Sequence, residues 1–412
     1  MSSVAPYREP FSLDTILRFL SKVPFSPPFL VILPVLALLL ERRGVPLAEV
    51  FSNLPTLAGW KELLFEKHKW FGRIMILIVL RMASRFFAVR AENNFVPKRD
   101  PPNWSKDVVV MTGGATGIGK EVVQELSRRY KAKIAVLDIA EPTYKTAPGA
   151  PEPLYIYTDV SDPKMVKAAH QQIVAHFGTS PSIVVACAGI VTGGTLMQVS
   201  PASVDRTFNI NSLSNVILTQ EFVPHMVKLN HGHYMLIASS ASYLAPVRLS
   251  AYSMSKAAAL AFYEELRAEL RAVYNAPRVR TSIVTPTKVR TLLGHGLKDS
   301  DNQFLNPALE PIQVADAMVN ALNSGRSHYI SQPAITRVLP LVRAAPEWLR
   351  ALLNVVGKTD QLITDDSIRS SIKAGYGQNW VKGDNADLVK EMKGLVRMRG
   401  RAALTRQFGK EV

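Results

Sequence analysis

Three residues within 239–256, SSASYLAPVRLSAYSMSK, have the types and spacing to move a proton to or from a substrate oxygen. Tyr252 and Lys256 are four apart, which on a helix puts both on one face, so an ammonium can sit beside a phenol and favour its ionised form. A free tyrosine, with a pKa near ~10, is a poor base at neutral pH, whereas one held beside a fixed cation can exchange a proton with an alcohol. Ser239 lies thirteen residues upstream of Tyr252, directly after the apolar run Tyr234 to Ala238, where a strand should end. Its hydroxyl can then meet the same substrate oxygen from the other side. A tyrosine and a lysine four apart are more often surface residues, so the pattern gains meaning only beside a cofactor site.

The chain supplies the parts of one. Asp107 to Met111 is a valine-rich run, followed by Thr112-Gly113-Gly114-Ala115-Thr116-Gly117-Ile118-Gly119 and a helical pattern from Lys120 to Tyr130. Glycines 113, 117 and 119 let the backbone turn tightly and approach a pyrophosphate, whose charge would rest on the amides of a helix N-terminus. The spacing is not G-x-G-x-x-G, but the strand, turn and helix context is the same. The next strand, Lys133 to Leu137, ends at Asp138, nineteen residues after Gly119. A carboxylate there accepts hydrogen bonds from both adenosine ribose hydroxyls and repels a 2′-phosphate, so NAD is expected in preference to NADP.

These pieces need a scaffold, and the alternation of strands and helices provides it. Strands are expected at Leu154 to Thr158, Ser182 to Ala186, His233 to Ala238, Val279 to Val284 and His328 to Ile330. Helices are expected at about Pro163 to Phe177, Val204 to Leu229, Ala251 to Val273 and Glu310 to Leu322. About seven strands separated by helices predict an α/β, Rossmann-type doubly wound parallel sheet with ligands at the carboxyl ends of its strands. No metal-ligand spacing is present; His231 and His233, in a turn, read as solvated.

Three regions follow: 1–105, a hydrophobic region and linker; 106–331, the sheet domain; and 332–412, an extension that is apolar and then basic. Phe29 to Leu40, FLVILPVLALLL, is uncharged but as a helix reaches only about 18 Å, short of a roughly 30 Å hydrocarbon core, and Pro34 should kink it. In Trp70 to Val89, Arg73, Arg81 and Arg85 fall within about 120° of one another on a helix, opposite a broad apolar arc. That is the pattern of a helix lying in a membrane interface, with Trp60 and Trp70 as anchors, and the two segments together can form a hairpin dipping into one leaflet or a monolayer. Past the sheet, Pro346 fits the first position of a helix carrying Trp348, Leu349, Leu352 and Leu353, and residues 388–412 hold seven lysines or arginines against two glutamates. The net charge of +16 therefore points to anionic lipid; basic residues without interleaved aromatics argue against nucleic acid. A single cysteine excludes an internal disulfide, and the catalytic domain is expected to face the cytosol.

Taken together, residues from about Asp107 to Ile330 resemble the short-chain dehydrogenases/reductases. Thr112 to Gly119 resembles the family's T-G-x-x-x-G-x-G loop, Asp159-Val160 the pair that flanks the adenine, and Asn211 the fourth member of a tetrad with Ser239, Tyr252 and Lys256. Two positions depart: the usual N-N-A-G reads Ala186-Cys187-Ala188-Gly189, and the usual P-G reads Pro286-Thr287. The resemblance implies that Ala188, Gly189, Pro286 and Thr291 line the cofactor with Thr112, Gly113, Gly117, Ile118, Gly119, Asp138, Asp159 and Val160. Tyr252 and Lys256 also reach it, and Asn211 organises a water.

Within the family the sequence is similar to the membrane-associated branch of retinol dehydrogenases and lipid-droplet 17β-hydroxysteroid dehydrogenases. That implies hydride transfer between NAD(H) and a lipophilic alcohol or ketone, at the endoplasmic reticulum or a lipid droplet, by a protein that can form a homodimer. Two alternatives remain: an NADP-dependent 3-ketoacyl reductase, which Asp138 opposes, and a silent membrane-surface scaffold, which the filled tetrad opposes.

Overall fold

The computed structural model describes residues 11–22, 27–41, 56–197, 199–294, 297–300, 302–304, 306–356 and 363. It divides into two compact units, Met1–Pro97 and Lys98–Val412. The basic stretch 388–412 lies outside the described residues.

The second unit is built on one seven-stranded, wholly parallel sheet: β1 (Val108–Thr112), β2 (Lys133–Asp138), β3 (Leu154–Tyr157), β4 (Ile183–Ala186), β5 (His233–Ile237), β6 (Arg280–Pro286) and β7 (Tyr329–Gln332), in the order β3-β2-β1-β4-β5-β6-β7. A parallel sheet needs both faces covered, which is why β1, β4 and β6 are buried at every position. Alternate residues of one strand serve opposite cores: Val108 and Val110 pack with Phe222, Tyr234 and Leu266, while Val109 and Met111 pack with Val122, Leu126 and Met318. Strand order reverses between β1 and β4, the switch point at which ligands of such sheets bind.

The expected strands and helices are all present, with no end moved by more than three residues. One element differs in kind. The single helix expected from Val204 to Leu229 begins earlier and is interrupted, so that Pro201–Phe208 and Ser214–Leu229 flank a wider, π-type turn at Asn209–Leu213. Such bulges are frequent at functional sites, and this one carries Asn211. The two histidines also differ from expectation. His233 is fully buried at the start of β5, hydrogen-bonded through Nε2 to Ser282 Oγ at 2.8 Å, and burial pushes its pKa down to about 3. His231 is held between two carboxylates, Nδ1 2.8 Å from Asp100 and Nε2 3.2 Å from Asp107. Those bonds, Asp107's foremost, push its pKa up to about 9. Arg278 reaches Asp100 at 2.7 Å, so the segment entering β1 is tied to the turns before β5 and β6.

In the first unit, α1 (Leu13–Lys22) and α2 (Phe29–Glu41) precede α3 (Leu57–Lys61), a π-type turn (Glu62–Lys67) and α4 (Lys69–Glu92). Helix α2 continues through Pro34, and Ala37 is buried against Leu63 and Leu64, with Trp60 packed on them. Trp60 is thus a packing residue and Trp70 the exposed one, with the Arg73 guanidinium 4.8 Å over its ring. Val31, Val35 and Leu39 of α2 and Leu77, Leu80 and Phe87 of α4 are exposed. Among the described residues no helix is long and apolar enough to cross a membrane.

Candidate active site

The candidate residues lie at the carboxyl ends of the strands. After β1, Gly113 adopts φ +65°, and a Cβ there would stand 2.7 Å from the backbone of Ala188, so the turn after β1 and the turn after β4 touch without side chains between them. Gly119 fits for a related reason: its Cβ would stand 2.1 Å from the carbonyl oxygen of Gly113. Gly117, φ +58°, begins the helix Gly117–Tyr130 and faces the Thr291 methyl. Thr112 ends β1 with its hydroxyl accepting from both Cys187 N and Ala188 N at 3.2 Å. The sheet is therefore pinned at β4 despite the missing asparagine amide. Cys187 does more than fill space, because its sulfur accepts the Gly119 amide; burial nonetheless pushes the thiol up to about 12.

Asp138 ends β2 as expected. Its Oδ2 accepts from Ala115 N at 2.9 Å and its Oδ1 from Ala140 N at 3.0 Å, which aims the carboxylate at the glycine turn and leaves each oxygen a lone pair. Asp159 follows β3 and folds back on Ser161, Oδ1 accepting from its amide at 2.9 Å and its hydroxyl at 2.6 Å, and Val160 beside it is buried. Ile118 packs into the core under the turn. Thr291 turns its hydroxyl into its own loop, accepting from Gly294 N at 3.2 Å, and presents its methyl to Gly117.

Ser239 follows β5, and Tyr252 and Lys256 stand in the first two turns of the helix Ser250–Ala272. The Ser239 side chain hydrogen-bonds Tyr252, and its Oγ also accepts from Ala241 N at 3.1 Å. Lys256 Nζ lies 5.8 Å from the Tyr252 ring centroid and donates to Ile237 O at 2.8 Å. The electrostatics correct the sequence expectation. Burial raises the Tyr252 pKa above that of a free phenol and Ser239 opposes it only in part, while the same dry surroundings push Lys256 down to about 8. The ammonium is near the ring, yet desolvation of the phenolate is the larger effect in this state.

Asn211 is committed to the protein. Its Oδ1 accepts from Ile190 N at 2.8 Å, and its Nδ2 donates to Ile190 O at 2.9 Å and Ser255 Oγ at 3.0 Å. The side chain thereby clamps the turn after β4 to the tyrosine helix. Ser255 and Ile190 were not foreseen; Ser255 betrays itself only by standing between Tyr252 and Lys256. A Cβ on Gly189 would come within 3.3 Å of Asn211 Oδ1 and 3.5 Å of Lys256 Nζ, so the glycine keeps that cradle open.

Thr287, one residue past Pro286 and the end of β6, has its Oγ1 buried without a hydrogen-bond partner among the described residues. A glycine turn at a helix N-terminus, a carboxylate aimed at it, an open cradle before Lys256 and this unmatched hydroxyl suit the phosphates, ribose and nicotinamide of a dinucleotide. Among the described residues no cluster of side chains suits a metal ion.

A short chain dehydrogenase model matches residues 107–302. The chain is 35% identical over 214 residues to dehydrogenase RED2 of Cochliobolus heterostrophus, covering 52% of this chain and 79% of that protein. It is 30% identical over 264 residues to estradiol 17-beta-dehydrogenase 11 of Macaca fascicularis, covering 63% and 85%. Among solved structures, a short chain dehydrogenase/reductase of Burkholderia phymatum in complex with NAD matches with a TM-score of 0.50 at 23% identity, over 59% of this chain and 95% of that one, a likeness of fold. Sheet, switch-point turn and relatives agree: the chain belongs to the short-chain dehydrogenases/reductases and is an NAD(P)-dependent oxidoreductase.

Proposed function

We propose that this protein is a membrane-associated, NAD-preferring dehydrogenase of lipophilic alcohols or the corresponding ketones, of retinoid, steroid or fatty type. The observation that carries the reading is the meeting of Ser239, Tyr252 and Lys256 at the open cradle before Gly189. The bound dinucleotide supplies the hydride chemistry. Tyr252 Oη exchanges the substrate proton. As a partly buried phenol with a raised pKa it is protonated at neutral pH, ready to donate to a ketone oxygen, and in oxidation it must first lose that proton. Ser239 positions the substrate oxygen and stabilises charge developing on it. Lys256 holds the nicotinamide ribose, and Asn211 fixes the turn that lets it do so. Gly113, Gly117, Ile118 and Gly119 receive the pyrophosphate, Asp138 the adenosine ribose, and Asp159 with Val160 the adenine edge. Ala188, Gly189, Pro286 and Thr291 line the nicotinamide end.

Asp138 supports NAD over NADP, since no cation stands beside it in Ile139 or Ala140 to receive a 2′-phosphate. Residues 1–105 are proposed as the membrane-associating region, 106–331 as the catalytic domain and 332–412 as an extension. The exposed apolar chains of α2 and α4, with Arg73, Arg81 and Arg85 on α4, suit a helical hairpin lying in a leaflet or monolayer. The relatives' names favour a steroid-like substrate, and residence at the endoplasmic reticulum or lipid droplets as a homodimer fits that chemistry. The test is to assay the purified full chain with NAD and with NADP against retinoids, steroids, long-chain alcohols, sugars and short alcohols. Turnover of the lipophilic classes with NAD is expected; activity confined to sugars or short alcohols would overturn the substrate reading.

A further inference from the structure

The rim of the candidate site is unusually apolar where it meets solvent. Beyond β7 the chain leaves the carboxyl edge of the sheet through a short turn of helix, Ala334–Val338, into α11 (Leu339–Ala344, counting helices through the sheet domain) and α12 (Glu347–Val356). This places α11 past the carboxyl end of β7, and the charge of its Arg343 guanidinium is felt at Tyr243, just past the loop of Ser239, where it opposes the upward push that burial gives the phenol. In α12, at 100° per residue, Trp348, Leu349, Leu352, Leu353 and Val355 share an arc of about 160°, with Glu347, Arg350 and Asn354 outside it. A helix that segregated its apolar residues in order to pack would bury them. Here no residue from 347 to 355 is buried, and Trp348 is 70% and Val355 73% exposed. The same edge exposes Leu341 at 71%, Leu196 after β4 at 72% and Leu292 after β6 at 52%. The loops that follow β4, β6 and β7 at this edge thus all present large apolar chains to solvent.

We propose that this rim, led by α11 and α12, is a second lipid-contacting surface, through which the catalytic unit itself rests on an anionic phospholipid layer with its site facing the lipid. The inference rests on the lipophilic-substrate reading and adds where such a substrate enters. Charge selects the occupant. Residues 333–356 carry Arg337, Arg343 and Arg350 against one carboxylate, Glu347, which Arg350 pairs at 3.0 Å, and the whole chain has a net charge of +16. Cationic flanks beside an apolar arc headed by tryptophan match a headgroup layer over acyl chains, whereas a second copy of this face would bring like charges together.

The experiment uses the full chain. Cys187 is its one cysteine, so an environment-sensitive fluorophore can be placed on Leu352→Cys and, separately, on the exposed Lys228→Cys at the opposite edge of the sheet, with the parent chain carried through the same labelling as the blank for Cys187. Vesicles of phosphatidylcholine and phosphatidylserine carrying a doxyl-labelled lipid are added. The expected result is a blue shift and quenching at Leu352→Cys and neither at Lys228→Cys, together with a raised KM of Leu341→Glu/Leu352→Glu for vesicle-borne substrate and an unchanged kcat in detergent. An unshifted label at position 352 on protein that floats with vesicles overturns the proposal and leaves attachment to the first unit. A label already blue-shifted without lipid also overturns it: loss of that shift on dilution means a second copy covers the face, and persistence means residues beyond 356 do. Failure of the substrate reading is seen separately, as absent turnover of lipophilic alcohols in detergent.

Discussion

Replacing Tyr252 by phenylalanine separates proton transfer from everything else the site does. The substitution removes one oxygen from a partly buried ring whose hydroxyl has Ser239 as its partner, and Ser239 keeps the Ala241 amide, so the cost in stability is that of one hydrogen bond, about 1 kcal/mol. The ring remains, Lys256 keeps its bond to Ile237 O, and the glycine turn and Asp138 are untouched, so NADH affinity should stay within about two-fold, under ~0.5 kcal/mol. Loss of the group that exchanges the proton should lower kcat/KM by roughly 10² to 10⁴, or about 2.7 to 5.5 kcal/mol of barrier. The assay pairs steady-state turnover with NADH fluorescence titration and a urea melt. Ser239→Ala adds a directional check. Ser239 is what opposes the upward shift of the phenol, so its loss should move the alkaline rise of the oxidation rate to higher pH. If Tyr252→Phe keeps activity within ten-fold of the parent, or loses NADH binding along with turnover, the assignment of the proton to this phenol is wrong.

Three further outcomes follow from the geometry. Asp138→Asn removes a charge facing the place of a 2′-phosphate; at ~4 Å that repulsion is about 1 to 4 kcal/mol, so the NAD to NADP preference in kcat/KM should fall by at least roughly five-fold, and an unchanged ratio would contradict the role. His231 has a pKa raised from 6.5 to about 9, so its clamp stabilises the fold fully below the unfolded value and is lost as pH rises through about 9. The upper bound is about 3 kcal/mol, and the fall in urea midpoint between pH 7 and pH 10 should shrink in His231→Asn. Thr112→Val deletes the acceptor shared by Cys187 N and Ala188 N, costing about 1 to 3 kcal/mol, and should weaken NADH binding because Ala188 abuts Gly113, while Thr112→Ser should restore both.

What the sequence revealed and what it hid divide along the range of the interactions. Strands β1 and β4 announced themselves as valine-rich runs because a strand buried on both faces has no polar positions to spare, and the glycine turn was legible because its constraint is local, Gly119 lying against the carbonyl of Gly113 six residues away. Ser239, Tyr252 and Lys256 could be placed together because a strand end and a helix face fix them within eighteen residues. Their electrostatics could not be read the same way. Spacing shows that an ammonium can stand near a phenol, but the sign of the shift depends on how much of the fold excludes water from both, and here exclusion outweighs attraction. His231 was misread for the same reason: Asp100 and Asp107 are more than a hundred residues away and approach it only because β1 and β5 flank β4 in one sheet. Asn211 is the intermediate case, where the residue was found but its clamp on Ile190 and Ser255 was not, because the π-type turn that aims it there leaves no periodic mark in an apolar helix. Local geometry thus selects which groups meet, and the depth at which the sheet and its helices bury them sets their protonation, so the site's pH behaviour belongs to the fold rather than to the motif.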